Sequence, residues 1–291
     1  MDQGFLLGEL TILAITGADR LKIANNLCTQ DLKSIAPGQI AETFVTDVKG
    51  RTLSHGFALA REDAVWFVSS PGQGARLVPH FDRYIIREDA AVQDASRDWD
   101  AILFLNHDDA VAFQSSHLVW NVVVAPVPWI LGGALVFVPI GKLAELSRDN
   151  RDGAITESDT ETRAGWERAR IEAFWPWYGV DLDDRNLPQE ASIDARAISF
   201  KKGCYLGQET VARLDALGQV QKRLVQLSFE KKPNVLLPYS IEVDGKEIGT
   251  MTSLAENDNG GAVGLAMVRR SHFATGTTFQ VASQSATVLC R

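Results

Sequence analysis

The first part of the chain alternates between two spacings of apolar residues. Runs rich in Val, Ile and Thr predict strands, whereas apolar residues at every third or fourth position predict one-sided helices. One helix is expected to begin after Asp19 as its N-cap, and another after Pro71-Gly72. The predicted strands cover 10–16, 43–48, 52–59, 65–69, 85–92, 101–105, 119–125 and 135–140, and the helices cover 19–27, 71–84, 141–150 and 165–174, with a charged linker at 151–162.

The pattern changes after Gly218. Short runs of strand-forming residues are separated by Gly, Asn, Asp and Pro, and no helix of convincing length lies between them. This pattern is typical of a small antiparallel β-barrel of about 70 residues. The predicted strands cover 223–229, 241–243, 247–253, 262–267 and 278–281. We therefore predict an α+β protein, in which residues 1–218 form two α/β subdomains and residues 219–291 form the barrel.

Composition agrees with a globular protein of more than one core. The chain has 291 residues, of which 45% are hydrophobic and 23% charged. Its formal net charge of −8 argues against general binding to nucleic acid, because an acidic protein repels phosphate backbones. The most apolar stretch, 122–141, contains Pro126, Pro128 and Pro139, which fits two buried strands and not a membrane helix.

The cysteines and the N-terminus both indicate a reducing, cytoplasmic location. Cys28, Cys204 and Cys290 lie far apart, which favours neither a disulfide framework nor a metal site built by this chain alone. The first residues lack a basic segment before their apolar run, so we expect a strand there and no signal peptide.

The sequence KGCYLGQE, residues 202–209, holds an unusual set of side chains. Gly203 and Gly207 allow backbone angles that other residues resist, so the segment can present Cys204 and Tyr205 in a tight turn. Neighbouring Lys201 and Lys202 favour the thiolate form of Cys204, which is the nucleophilic form. A small buried cysteine is the commoner role for a lone thiol. The residues alone therefore indicate a candidate site and no particular reaction.

This segment resembles the K-G-C-[FY]-x-G-Q-E signature of the YgfZ-type folate-binding family, with Lys202, Gly203, Cys204, Tyr205, Gly207, Gln208 and Glu209 at the specified positions. RIEAFWPWYGVDLDDRNLPQE upstream and GQVQKRLVQL downstream are also similar to that family, and NNLCTQDL is more weakly so. The resemblance implies a fold related to the glycine-cleavage T-protein, with two α/β lobes and a C-terminal barrel around a central channel for tetrahydrofolate or a related reduced folate.

The resemblance also implies roles for individual residues. Glu172 matches the glutamate of the T-protein R-x-E-A segment, which binds the pterin ring, although an exposed helix glutamate is the commoner case. The folate-binding set expected from it is Glu172, Trp175, Tyr178, Lys202 and Tyr205, with Cys204 as the catalytic candidate. Phe174 and Trp177 extend the aromatic wall, but most such residues are core. Lys222, Arg223, Arg269 and Arg270 either attract the glutamate tail or form solvated barrel surface, and Asp181 and Glu190 either cap loops or line the channel.

One departure bears on the activity. Where T-proteins carry an aspartate for aminomethyl chemistry, this chain has Ser54 or His55, and Asp47 is the nearest carboxylate upstream. The first hypothesis is therefore a folate-dependent accessory factor for iron–sulfur proteins, which affects tRNA modification through iron–sulfur enzymes and has such proteins or their assembly factors as partners. The second is an enzyme that transfers an aminomethyl or methyl group to a small amine. The third is a binding module without chemistry.

Overall fold

The computed structural model describes residues 4–130, 132–143, 145, 155–156, 160–218 and 220–289. Cys290, Gln219, and most of the predicted helix 141–150 and linker 151–162 lie outside these residues. The division of the chain between residues 218 and 219 stays a prediction for the same reason. In the described part of the chain, no helix combines the length and apolar character that crossing a membrane requires.

Two five-stranded sheets with helices form two lobes. The elements in chain order are β1 (Gly4–Gly8), β2 (Thr11–Thr16), α1 (Arg20–Leu27), β3 (Ile40–Thr46), β4 (Thr52–Ala60), β5 (Ala64–Ser69), α2 (Gly74–Asp82), β6 (Ala91–Asp94), β7 (Trp99–Phe104), α3 (His107–Ser116), β8 (Val123–Val127), β9 (Gly133–Pro139), β10 (Ile155–Thr156) and α4 (Thr160–Glu172). The first lobe has the strand order β3-β4-β5-β2-β6, and the second has β10-β1-β7-β9-β8.

The remaining elements lead into the C-terminal barrel. They are α5 (Asp194–Ala197), α6 (Gln208–Leu217), β11 (Lys222–Phe229), β12 (Tyr239–Val243), β13 (Lys246–Glu256), β14 (Ala262–Arg269), β15 (Thr278–Val281) and β16 (Gln284–Val288). The six strands follow the order β12-β13-β14-β11-β16-β15, and the outer strands β12 and β15 approach each other. The barrel is therefore nearly closed, which confirms the predicted α+β fold with a small antiparallel barrel.

The two lobes share one core between their sheets. Phe57 and Trp66 from the first sheet pack in the same cluster as Leu103 and Phe137 from the second, together with Trp166 of α4. The opposite face of each sheet packs against its own helices. Strand side chains alternate between faces, and in β4 Phe57 and Leu59 accordingly pack in the shared core while Ala58 between them packs on the helix side.

Most predicted elements are confirmed, and the errors have local causes. The strand at 85–92 is wrong, because residues 85–90 form an irregular, bent segment and the strand begins at Ala91. Asp19 precedes α1 as predicted, but its carboxylate accepts a hydrogen bond from Asp89 N (2.9 Å) and does not cap the helix. Helix α3 escaped prediction because only Ala110 and Phe113 of its residues are buried. Strand β16 was also missed.

A buried charge cluster joins α4, the loop after it and the barrel. Arg170 Nη1 donates to Asp181 Oδ2 (2.8 Å), and Nη2 donates to Ser253 Oγ on β13 (2.7 Å). The same Asp181 accepts hydrogen bonds from Thr252 Oγ1 (2.6 Å) and Trp177 N (2.9 Å). The side chains of Arg170 and Asp181 are 1% and 0% exposed, so neither charge has water as an alternative partner.

We predict that Arg170→Met lowers the free energy of unfolding by about 3–5 kcal/mol, because removal of one partner leaves the other charge buried and uncompensated. Urea denaturation of the purified protein measures this loss. Arg185→Met is the matched control, since Arg185 pairs with Asp183 on the surface and its side chain is 82% exposed. Equal effects of the two substitutions would contradict the prediction.

Candidate functional site

A narrow cleft with a cavity volume of about 10 Å³ lies between the first lobe and the segment after α4. Its polar and aromatic lining includes His55, Ser70, Trp175, Trp177 and Tyr178. We call it the aromatic cleft. The structure therefore brings together two members of the predicted folate-binding set, Trp175 and Tyr178, and adds a histidine from β4.

The end of α4 turns the aromatic segment 174–178 toward this cleft. The N–H of Trp175 donates to Arg170 O (2.8 Å), which closes the last turn, and Phe174 adopts a left-handed backbone with φ of 53°. Trp175 then packs edge-on against Trp166 and Trp177, with ring centroids 5.6 and 5.8 Å apart. Phe174 lies on the barrel side, so the predicted aromatic wall is divided between two surroundings.

Tyr178 is held by a cation from the first lobe. Arg76 of α2 donates through Nη1 to Tyr178 Oη (2.9 Å), and its guanidinium lies 4.9 Å from the ring centroid. The Tyr178 hydroxyl in turn donates to Thr52 O (3.4 Å). Burial raises the pKa of Tyr178 and outweighs the lowering effect of Arg76, so the phenol is neutral at physiological pH.

His55 belongs to a buried polar group at the same cleft. Its Nε2 lies 2.9 Å from Glu42 Oε1 on β3, and its Nδ1 lies 3.0 Å from the carbonyl oxygen of Pro176. Arg196 contacts the other oxygen of Glu42 and donates through Nη2 to Phe174 O (2.8 Å). In the β3–β4 register, Phe44 pairs with His55, and their rings lie 4.9 Å apart.

The structure distinguishes the two residues that stand where an aspartate was expected. His55 lines the aromatic cleft, whereas Ser54 pairs with Val45, which packs on the helix side of the sheet. Asp47, the nearest carboxylate upstream of this strand, caps the turn before β4. Its carboxylate accepts hydrogen bonds from the backbone N–H groups of Lys49 and Arg51. Glu42 is the carboxylate that touches His55. The sequence feature that marks Glu42 is a charged residue within the apolar strand IAETFVT, and Glu42 was not among the predicted site residues.

Glu172 and the KGCYLGQE segment lie elsewhere. Glu172 ends α4, is half-buried, and does not line the aromatic cleft. Tyr205 is buried in the same core cluster as Phe174 and Tyr178, and burial raises its pKa to about 12. Cys204 is exposed, and its thiol is free. Of the motif side chains, Gln208 and Glu209 form the first turn of α6.

Lys202 ties its segment to the first lobe. Its buried ammonium donates to the carbonyl oxygens of Asn25 (2.6 Å), Cys28 (2.8 Å) and Gln30 (2.7 Å). Burial lowers the pKa of Lys202 to about 8, which leaves the ammonium form dominant at pH 7. Three acceptors for three N–H groups give this side chain a structural role. Its predicted contact with folate stays a prediction.

The two glycines of the motif differ. Gly207 has φ of 80°, and a Cβ there would lie 2.5 Å from Asp47 O, so only glycine fits this contact with the turn before β4. Gly203 has no left-handed backbone, and a Cβ there would meet only Lys33 Nζ, at 3.6 Å. The prediction of a glycine-dependent turn is therefore confirmed at Gly207 and wrong at Gly203.

The cationic residues of the barrel lie in different clefts. Lys222 and Arg269 line a cleft of about 480 Å³ between the barrel and the loop 179–186, which we call the loop–barrel cleft. Arg223 lines another cleft, where its guanidinium lies 5.3 Å from the Phe273 ring centroid. Asp181 and Glu190 both cap backbone N–H groups, those of Trp177 and Leu187. Across the described residues, His, Cys, Asp and Glu form no group of three or more that could hold a metal ion.

Comparisons with known proteins agree with this architecture. A family model described as the CAF17 C-terminal beta-barrel domain matches residues 221–289. The tRNA-modifying protein YgfZ of Vibrio vulnificus is 26% identical over 96% of this chain and 88% of its own, and an aminomethyltransferase of Rubrobacter xylanophilus is 24% identical over 91% and 75%. The structure of aminomethyltransferase T of the glycine cleavage system from Bartonella henselae superposes with a TM-score of 0.79 at 15% identity, covering 99% of this chain and 84% of that one. These findings confirm the resemblance to YgfZ-type proteins and the T-protein-like fold.

We predict that iodoacetamide modifies Cys204 in the folded protein and reaches Cys28 only after unfolding. Cys204 is exposed, whereas Cys28 is 1% exposed and burial raises the pKa of its thiol to about 12. Peptide mass spectrometry on a Cys290→Ser background measures the two rates separately. Labelling of Cys28 at the rate of Cys204 under native conditions would show that the prediction is wrong.

Proposed function

We propose that this YgfZ-type, T-protein-like protein binds tetrahydrofolate or a related reduced folate within residues 1–218, with the pterin ring at the aromatic cleft. The observation that carries the proposal is the meeting of His55, Trp175 and Tyr178 at the junction of the first lobe with the segment after α4. None of these residues is a neighbour of His55 in sequence, so only the fold assembles the set.

The residues of the aromatic cleft fit a pterin in their chemistry. Trp175 and Tyr178 border the cleft although they are only 4% and 6% exposed, and Ser70 and Trp175 each carry a buried polar atom, Oγ and Nε1, without a protein partner. With a cavity volume of about 10 Å³ the cleft has room for about one water molecule, far below the range of about 300–1,000 Å³ that is usual for small-molecule sites, so half-buried Trp177 and its neighbours would have to move on binding. Folate, once bound, supplies one-carbon chemistry, and the residues of this chain orient it and exclude water.

The glutamate tail of the ligand has a separate place to bind. The loop–barrel cleft follows the aromatic segment along the chain, since its lining begins at Gly179. Lys222 and Arg269 supply the cations there that could attract carboxylates, although Lys222 lies 3.5 Å from Glu190 Oε2 and Glu247 on the same lining is acidic. The exposed Asp183–Arg185 pair at the same cleft keeps part of its lining neutral.

We propose further that the protein is a cytoplasmic accessory factor in the assembly or repair of iron–sulfur proteins, with Cys204 as its functional thiol. Support comes from the exposure of Cys204 on a segment fixed by Lys202 and Gly207. The relatives from Cronobacter sakazakii and Vibrio vulnificus are called tRNA-modifying protein YgfZ, and an effect on iron–sulfur enzymes that modify tRNA would account for that name. Iron–sulfur client proteins or assembly factors are then its partners, and nucleic acid is not bound directly.

A folate-dependent enzyme that transfers an aminomethyl or methyl group to a small amine is the alternative. The contact between Glu42 and His55 favours it, because a carboxylate does reach the position where T-protein chemistry was expected to lack one. Glu42 is nevertheless engaged by both His55 and Arg196, which leaves it poorly placed to meet a substrate nitrogen. Turnover in a reconstituted glycine-cleavage assay would favour this alternative.

We predict that tetrahydrofolate binds the purified protein and raises its melting temperature, because a ligand that binds only the folded state stabilises it by about 2.7 kcal/mol at one hundred times its Kd. Glu172 does not line the aromatic cleft, so Glu172→Ala should leave the affinity unchanged, and a loss of roughly 1–3 kcal/mol of binding free energy would place the pterin edge at Glu172 instead. Calorimetric titration measures both, with the exposed Glu256→Ala as the matched control. Absence of heat and of stabilisation at millimolar ligand would refute the binding proposal.

We predict that Cys204→Ser abolishes complementation of iron–sulfur enzyme activity in cells that lack the protein, while folding and folate binding stay intact. The reason is that Cys204 is exposed and outside the aromatic cleft, so its thiol contributes reactivity and not packing. Cys28→Ser is the control that separates a packing defect from a loss of chemistry. Full complementation by Cys204→Ser would leave the pure binding module as the remaining reading.

A further inference from the structure

The contacts of His55 determine how many protons it shares with Glu42. A carbonyl oxygen only accepts hydrogen bonds, so the contact with Pro176 O requires a hydrogen on Nδ1. Glu42 Oε1 lies 2.9 Å from Nε2, and that contact requires a second proton between the two atoms. The pair therefore holds one proton more than a neutral imidazole beside a carboxylate.

Arg196 decides where that proton lies. Its guanidinium contacts Glu42 Oε2, and a guanidinium pairs with a carboxylate anion, so we assign the proton to the imidazole. The side chains of Glu42 and His55 are each 1% exposed, and a buried carboxylate needs such partners because it has no water. One buried anion thus faces two cations.

Each of these cations also holds one carbonyl of the aromatic segment. Arg196 donates to Phe174 O (2.8 Å), and His55 donates to Pro176 O (3.0 Å). The two carbonyls lie on either side of Trp175, and Phe174 is kept in a left-handed conformation that non-glycine residues rarely adopt. Glu42 fixes both donors, so a carboxylate on β3 controls the backbone that presents the cleft's aromatic rings.

We propose that Glu42, His55 as an imidazolium, and Arg196 form a positioning device that sets the backbone around Trp175 for ligand binding. None of the three acts on the ligand chemically. The role of the device in binding rests on the proposed function, because the ligand is taken to be a reduced folate. Its protonation and its grip on Pro176 do not depend on that function.

The first test is spectroscopic and uses the ligand-free protein. Long-range ¹H–¹⁵N correlation spectra of the five histidines report whether each ring nitrogen carries a proton, and His55→Asn identifies the His55 signals by their loss. At neutral pH we expect both ring nitrogens of His55 to be protonated. Glu42→Gln should convert His55 to the neutral form with hydrogen on Nδ1 only, because a carboxamide can donate to Nε2. A neutral His55 in the unsubstituted protein overturns the proposal.

The second test uses two substitutions that each keep one half of the imidazole's bonding. In His55→Asn, the amide nitrogen occupies the place of Nδ1 and can still reach Pro176 O. In His55→Gln, it occupies the place of Nε2 and can still reach Glu42 only. A positioning role predicts that His55→Gln weakens tetrahydrofolate binding by roughly tenfold and that His55→Asn weakens it less. Melting temperatures are measured for both variants.

The outcomes are distinct. The positioning role is overturned if the two variants lose equal affinity, or if His55→Asn loses more. In either case the affinity would not depend on the bond to Pro176 O, which only His55→Asn keeps. Should either variant fail to fold, the spectra of the unsubstituted protein and of Glu42→Gln still decide the proposal. If the unsubstituted protein does not bind tetrahydrofolate, the proposed function is wrong. The protonation of His55 and its bond to Pro176 are then tested by the spectra alone.

Discussion

The arrangement of this protein depends on the buried contact between Arg170 and Asp181. Arg170 comes from the helix of the second lobe, Asp181 from the loop that follows it, and Ser253 and Thr252 from the barrel. A charge pair in such a place adds little net stability over an apolar pair, but its geometry is demanding because every donor and acceptor must be satisfied. It therefore fixes the orientation of three elements more strictly than apolar packing would.

The aromatic segment lies between that cluster and a second one. Residues 173–181 are outside regular secondary structure for most of their length, so their backbone groups need other partners. Asp181 accepts from Trp177 N at one end, while Arg196 and His55 donate to carbonyls at the other. Two buried carboxylates, Asp181 and Glu42, thus determine the path of the segment that lines the cleft.

The KGCYLGQE segment combines packing and exposure in a few residues. Lys202 fills three carbonyl acceptors of the first lobe, and Gly207 allows the close approach of the turn before β4. Tyr205 belongs to the core beside the barrel, and only Cys204 among these four is exposed. Much of the motif therefore attaches the segment to the first lobe, and this attachment places one thiol at the surface.

The sequence by itself determined the elements whose formation depends on local pattern. Most strands of the two lobes and of the barrel followed from short-range alternation and turn residues, and the family resemblance followed from KGCYLGQE. Helix α3 and strand β16 were missed, in the case of α3 because too few of its residues are buried to produce a pattern. Sequence alone also grouped Phe174 with Trp175, although the left-handed turn at Phe174 sends them to different surroundings.

Only the tertiary structure decided which polar residues meet. His55 follows Glu42 by 13 positions along the chain, and Arg196 follows it by 154. Nothing in the local sequence around these three residues marks them as a group. The structure shows that His55, and not Ser54, lies on the face of β4 that lines the aromatic cleft. It also shows that Lys202 has a structural role, because its ammonium binds carbonyl oxygens within residues 25–30. The physical reason is that a strand or helix pattern depends on neighbours along the chain, whereas a buried charge finds its partner wherever the fold brings one within hydrogen-bond distance.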